Sequence, residues 1–273
     1  VIGAHTACAI ANVSENCQDS RGGAFNFSSS STWEDQGNFE LGMNNELGYG
    51  GLGLYGFDSV GLGYDNSQGK QLPHQIVSAI NSEQFWLGFI GLGFQPSNFT
   101  DYGDPQASFA GYLESNGSIA SRSWSYTAGA IYRGKGMLGS LVWGGKDTNR
   151  YEENDVVFTM AGDVERDLVV TVQRIGSSTE GSQGNTTLYE TPEFYFIDST
   201  VPDLWLPKEA CAKFEQAFGI KLDESSGRYL LTDEQHSNLS SSKPTITFTL
   251  SNQKEAGGST VDISLPYGAF DLS

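Results

Sequence analysis

FYFIDSTVPDLWLP, residues 194–207, sets a carboxylate, Asp198, between two apolar runs. Both runs read as buried strand, which places the acid at a strand end or in a turn. Burying a carboxylate unpaired is costly, so Asp198 is either satisfied by its neighbours or used in chemistry. Ser199 and Thr200 follow it directly, and an Asp hydrogen-bonded within a turn is the simpler of the two readings.

The rest of the chain is the setting for that acid. Its 273 residues suffice for one large domain or two lobes with a real core. Gly is abundant, strand-favouring Val, Ile, Thr, Tyr, Phe and Trp recur, and helical periodicity is scarce, so the expected class is mainly β. Asp and Glu total 33 against 15 Lys and Arg, a net charge of −18 that repels phosphate backbones and argues against nucleic-acid binding. Most of these acids, Glu152–Glu153 and Asp163–Glu165 among them, read as solvated surface that confers solubility.

No apolar run approaches the roughly 18 residues of a membrane span. VIGAHTACAIAN at the start lacks the basic and long apolar regions of a signal peptide, and a first residue of Val suggests a processed or excised chain. The address comes from other features. Six N-x-Ser/Thr sequons, at Asn12, Asn26, Asn98, Asn116, Asn185 and Asn238, point to a glycosylated protein that is secreted or held at the cell surface. Cys8 and Cys17 are near enough to close a small disulfide loop, which suits an oxidising compartment. Cys211 is left as a free thiol or one with a partner outside the chain.

Residues 1–32 read as loop. From Gly37 the chain turns to strands and tight turns, its glycines supplying positive-φ positions. QFWLGFIGLGF (84–94) reads as a buried strand with a close backbone crossing, FAGYLESNGSI (109–119) as a short helix and turn. GSLVWGG (139–145), DVVFTMAG (155–162) and DLVVTVQRI (167–175) read as strands, and GSSTEGSQGNTT (176–187) as an exposed loop. PKEACAKFEQAFGI (207–220) predicts a helix, opened by Pro207 and stopped by Gly219; TITFTL and VDISLPYGAF close the chain as strands.

Several chemistries lack support. GLGLYG (51–56) matches G-x-G-x-x-G, but FDSVGLGYD after it has no helical character, so a glycine-rich hairpin is expected instead of a nucleotide site. His5, His74 and His236 lie far from one another and from any Cys or acid at ligand spacing, so no metal is expected. No serine sits in a G-x-S-x-G elbow, which leaves a hydrolase triad without support.

Taken in order, the segments resemble the pepsin-like aspartic proteases, most closely their divergent, glycosylated filamentous-fungal members. Ile197-Asp198-Ser199-Thr200 before LWLP looks like the second-lobe active-site strand. CAIANVSENC and FNFSSSSTW (8–33) resemble the disulfide loop and Ser-rich segment that follow the first-lobe active strand, and YGGLGLYGFDSV (49–60) the flap hairpin. FWLGFIGLGF and GSLVWGGKDTNRY resemble the family's Asp-Gly-Ile-Leu-Gly-Leu and Gly-Gly-Asp-x-x-x-Tyr segments.

The resemblance implies a bilobal fold, incomplete at both ends, with an N-terminal lobe over 1–165 and a C-terminal lobe over 166–273. It also implies a cleft for extended peptide, no cofactor, and flap roles for Tyr49 or Tyr55. The family's mechanism has two carboxylates sharing one proton, one acting as base on a water while the other polarises the scissile carbonyl.

The departures bear on that mechanism. Thr200 stands where the motif has Gly, Leu87 where the family's segment opens with Asp, and no Asp-Thr/Ser-Gly occurs in the chain. The partner acid is expected upstream of Val1, and the closing strands and any membrane anchor beyond Ser273. A non-catalytic domain binding peptide or polymer is the expectation. The alternatives are an active endopeptidase of which this is a segment, and a glycosidase inhibitor or wall-binding protein that takes polysaccharide on the same fold.

Overall fold

A computed structural model describes residues 1–10, 16–43, 47–63, 69–82, 85–98, 101–134, 138–163, 166, 168–180, 184–201, 203–255 and 257–271. The chain is mainly β and divides into two compact units, Val1–Ser123 and Trp124–Ser273.

In the first unit, β1 (Ile2–Gly3), β2 (Glu34–Glu40), β3 (Leu52–Gly61) and β4 (Gln71–Ile80) form a sheet of order β1-β4-β3-β2. Only the β1–β4 pairing is parallel. Leu72, Ala79 and Ile80 of β4 are buried with Phe57, Phe85, Ala110 and Leu113. The last two lie on α3 (Phe109–Ser115), whose N-cap Ser108 accepts the amide of Gly111, as the sequence predicts for a short helix here. Residues 1–32, expected as loop, contain two single-turn helices, α1 (Ala7–Ile10) and α2 (Cys17–Ser20).

GLGLYG enters and runs along β3, and the described residues between β3 and β4 hold no helix. Only its first glycine is a turn residue: Gly51 has φ +126°. Gly56 is required by packing, since a Cβ there would lie 2.6 Å from the Trp33 ring and 2.8 Å from the Glu34 carbonyl oxygen. Backbone cannot yield as a flexible side chain does, so Gly56→Ala is expected to cost about 1–3 kcal/mol in a urea titration.

QFWLGFIGLGF is not a buried strand. Phe85 is buried, but Leu87 and Ile90 are more than half exposed, and the described residues from Phe85 to Phe94 carry no strand. The expected close crossing is present at Gly88, where a Cβ would come within 3.0 Å of the Val1 carbonyl oxygen. Phe89 exchanges main-chain hydrogen bonds with Val1. A glycine-spaced run that touches its neighbour this briefly cannot build a ladder.

In the second unit, β5 (Trp124–Thr127) pairs with β6 (Ser140–Trp143). The main sheet comprises β7 (Val169–Ser178), β8 (Thr186–Tyr189), β9 (Glu193–Phe196), β12 (Thr245–Ser251) and β13 (Thr260–Pro266). Its order is β13-β12-β7-β8, with β9 paired to the first half of β7. Strict alternation in TITFTL sends Ile246, Phe248 and Leu250 into a core with Val172, Ile175 and Leu188. α4 (Lys208–Phe218) closes that core with Ala210, Phe214 and Phe218, and ends at Gly219 in the left-handed region. A hairpin of β10 (Lys221–Asp223) and β11 (Arg228–Leu230) leads to α5 (Asp233–Ser242).

Two sequence expectations fail here. DVVFTMAG forms no strand, and Val157 is 72% exposed, because it pairs with no other described segment. GSSTEGSQGNTT is not wholly loop: β7 runs on through Ser178 and β8 begins at Thr186, extending the hairpin into the polar stretch. Hydroxyl side chains suit the solvent face of a ladder and do not end it.

Candidate active site

β9 delivers Asp198. Glu193–Phe196 runs antiparallel to Val169–Val172, and the Ile197 amide adds one more bond, 2.9 Å to the Leu168 carbonyl. The chain then leaves the sheet, so Asp198 sits at a strand end as its position between apolar runs predicts. The runs themselves are not buried. Phe194, Phe196, Ile197, Leu204 and Trp205 are all more than half exposed, and residues 203–207 carry no strand. Asp198 is half-buried and Ser199 exposed. An edge strand covered on one face does not desolvate the acid at its end.

A single turn satisfies one oxygen of that acid. The Thr200 amide donates to Asp198 Oδ1 at 2.8 Å and the Thr200 hydroxyl donates to the same oxygen at 2.7 Å. The amide bond closes an Asx turn.

In the first unit the buried carboxylate is Asp58, on β3 and 5% exposed. Its Oδ1 accepts from the Ser30 hydroxyl at 3.0 Å, from the Ser59 amide at 2.7 Å and from the Thr32 hydroxyl. The two hydroxyls come from the serine-rich segment 26 to 28 residues upstream, and they make Asp58 the brace between that segment and β3. Nothing in F-D-S-V alone distinguishes this acid; only strand pairing brings Ser30 and Thr32 to it.

Tyr49 and Tyr55 belong to the β2–β3 hairpin, closed by the Leu41 amide bonding to the Gly51 carbonyl. Tyr49 lies in the connection and packs edge-on to Phe85 at 5.9 Å. Tyr55 lies within β3, edge-on to Phe39, with its hydroxyl donating to the Glu40 carbonyl at 3.4 Å. Burial pushes the Tyr55 phenol above its ordinary pKa, an effect a bond to Ser78 opposes.

No protein-family model matches the sequence, and no curated protein is significantly similar to it. A solved structure, that of the aspartic proteinase from Irpex lacteus, matches over 86% of the chain with a TM-score of 0.55. The chain has the pepsin-like fold. At 18% identity the likeness is one of fold alone, and the chain spans 64% of that proteinase.

Within this pepsin-like chain the Cys8–Cys17 disulfide is formed, with the two Cα atoms 5.8 Å apart, and Cys211 is a half-buried free thiol on α4. Asn26 caps a 3-10 turn by accepting the Ser28 amide, Asn98 and Asn185 lie exposed outside strands, Asn116 caps α3 at its C-terminus, and Asn238 is in the middle of α5. Asn12 lies outside the described residues. No described helix is long and apolar enough to cross a membrane.

His236, Asp271 and Ser240 come together, but not as a nucleophilic relay. Asp271 Oδ2 and Ser240 Oγ approach the same ring nitrogen, Nε2, at 3.0 and 3.4 Å. A relay needs its hydroxyl and carboxylate on opposite ring nitrogens. The cluster instead ties the end of the described chain to α5.

Three phenols in the second unit, Tyr195, Tyr229 and Tyr267, are raised, the first two most. Burial, followed by the charges of Tyr189, Glu193 and Cys211, pushes Tyr195 from 10.0 up to about 12, and its buried hydroxyl has no hydrogen-bond partner among the described residues. Burial and the bond to Glu215 push Tyr229 up as well. The folded state therefore holds these phenols neutral. The contribution of Tyr195 to stability is whole below pH 10 and is lost as pH climbs through about 12. Phenolate absorbance is expected to show Tyr195 and Tyr229 ionising only with unfolding.

Proposed function

We propose that the chain is a pepsin-like aspartic peptidase domain that binds an extended peptide or other elongated polymer without hydrolysing it. Its lobes run over 1–165 and 166–273, it stands nearest the divergent filamentous-fungal members, and it is a glycosylated protein secreted or displayed at the cell surface. The carrying observation is the Thr200 side chain. Where the family has glycine, Thr200 places a hydroxyl 2.7 Å from Asp198 Oδ1, on the oxygen that its own amide already occupies. A catalytic pair works by sharing one proton between two carboxyls, and here two donors of the same turn hold one of the oxygens available for that sharing.

Digestion of a denatured protein at acidic pH tests it. No pepstatin-sensitive cleavage is expected, and Asp198→Asn is expected to behave as the wild type. Cleavage abolished by both pepstatin and Asp198→Asn would overturn the reading in favour of an active endopeptidase.

A further inference from the structure

The solvent face of the second unit's main sheet holds a polar trough of about 160 Å³ that the proposed peptide-binding role does not use. Its floor is one row across four strands: Ser264 on β13, Thr247 on β12, Gly176 on β7 and Thr187 on β8 are in register. Residues directly opposite in antiparallel pairs project from the same face, so three hydroxyl side chains surround the one position without a side chain. Gly176 makes the depression. Its φ is not positive, and a Cβ there would meet only the Thr186 carbonyl oxygen, at an ordinary 3.7 Å. Neither backbone conformation nor close packing requires glycine at this position.

The walls are hydrogen-bonding groups of both kinds. Thr247 shares a 2.9 Å bond with Ser264, and Asp262 accepts from Thr249 at 2.6 Å. The Arg174 side chain, one row along, makes no hydrogen bond or ion pair among the described residues. The volume is well below the roughly 300–1,000 Å³ of pockets for larger ligands and is on the scale of a single sugar ring. An aromatic-free trough of this kind holds a free sugar weakly, because most of what it offers merely replaces water. A tethered sugar is different, since its effective concentration is set by the tether.

The tether is at the rim. Asn185 is exposed, lines the trough, and opens the sequon Asn185-Thr186-Thr187, whose last residue is the end of the floor row. We propose that Asn185 carries an N-linked glycan whose first N-acetylglucosamine lies in this trough. Attachment joins Asn185 Nδ2 to the anomeric carbon of an oligosaccharide carried on a lipid diphosphate. The diphosphate leaves and the amide gives up one proton. Arg174 and Asp262 then offer a donor and an acceptor to the sugar's hydroxyl and acetamido groups.

The test uses the whole chain secreted from a eukaryotic host, as wild type, Asn185→Gln, Gly176→Val and the double variant, with all glycans trimmed to one sugar. Secretion is imposed by the host, so the result is separate from the chain's natural compartment and from its lack of catalysis. Glycopeptide mass spectrometry is expected to show Asn185 occupied. The wild type is expected to melt about 2–4 °C above Asn185→Gln, and Gly176→Val, which fills the depression, to erase that difference. If Gly176→Val is not secreted, Arg174→Ala takes its place and is expected to reduce the difference by at least half. An unoccupied Asn185, or an equal increment with and without the trough, would overturn the proposal.

Discussion

Asp58→Ala is expected to lower the unfolding free energy by about 3–5 kcal/mol. The carboxylate is almost wholly buried, and one of its oxygens collects the Ser30 hydroxyl, the Thr32 hydroxyl and the Ser59 amide. Alanine removes the acceptor and leaves those donors facing a small void. These bonds are part-buried on the donor side, and each costs about 1–3 kcal/mol when left unmade, with hydrogen bonds to a charged acceptor at the high end. Asp58→Asn keeps one oxygen but loses the charge, so about half of the loss is expected to return. Urea titration of the three proteins decides the matter: equal midpoints would mean that the serine-rich segment is not braced by this acid.

Arg21→Met is expected to cost about 3–4 kcal/mol, the second of the two largest effects. Arg21 is 5% exposed and has no ion pair among the described residues. Its charge is balanced by carbonyl dipoles: one terminal nitrogen donates to Ser82 and Phe85, each at 3.1 Å, while the guanidinium lies 4.9 Å from the centre of the Trp86 ring. Trp86 in turn donates to the Ser20 carbonyl at 3.0 Å. Methionine keeps much of the volume but removes the donor that Arg21 gives to both carbonyls. Arg21→Lys restores a charge that cannot fork, and is expected to recover less than half. Hydrogen exchange after Arg21→Met is expected to rise first across residues 85–89. Exchange unchanged there, with a full loss elsewhere, would show that Arg21 acts on some other part of the unit.

How far the sequence carried depended on whether the deciding contacts were local. α4 was legible because Pro207 and Gly219 mark both ends and the apolar positions between them fall on one face. β12 was legible because TITFTL alternates without a break. α5 carried its own signal in Thr232-x-x-Gln235, a capping box that forms in full, yet its serine-rich body has no apolar stripe to draw attention. Asp198 stood out because apolar residues flank it on both sides, though that flanking overstated its burial. Asp58 did not stand out, because what makes it important is two hydroxyls brought from another segment. The apolar runs at 85–94 and 155–162 misled for the converse reason: composition favours strand, but a strand exists only where a neighbour pairs with it.

The edge strand β9 has a consequence for handling the protein in acid. Phe194 and Phe196 are exposed along a strand that, among the described residues, pairs on one side only, with Ile197, Leu204 and Trp205 exposed further on. At neutral pH a net charge of −18 keeps such edges on different molecules apart. The isoelectric point is near 4.3, so that repulsion vanishes in the acidic range where peptidase activity is sought. Turbidity is expected there from association of such edges, and it removes protein from solution whether or not the chain is an enzyme. Assays spaced on either side of the isoelectric point, at low protein concentration, separate loss of solubility from lack of catalysis.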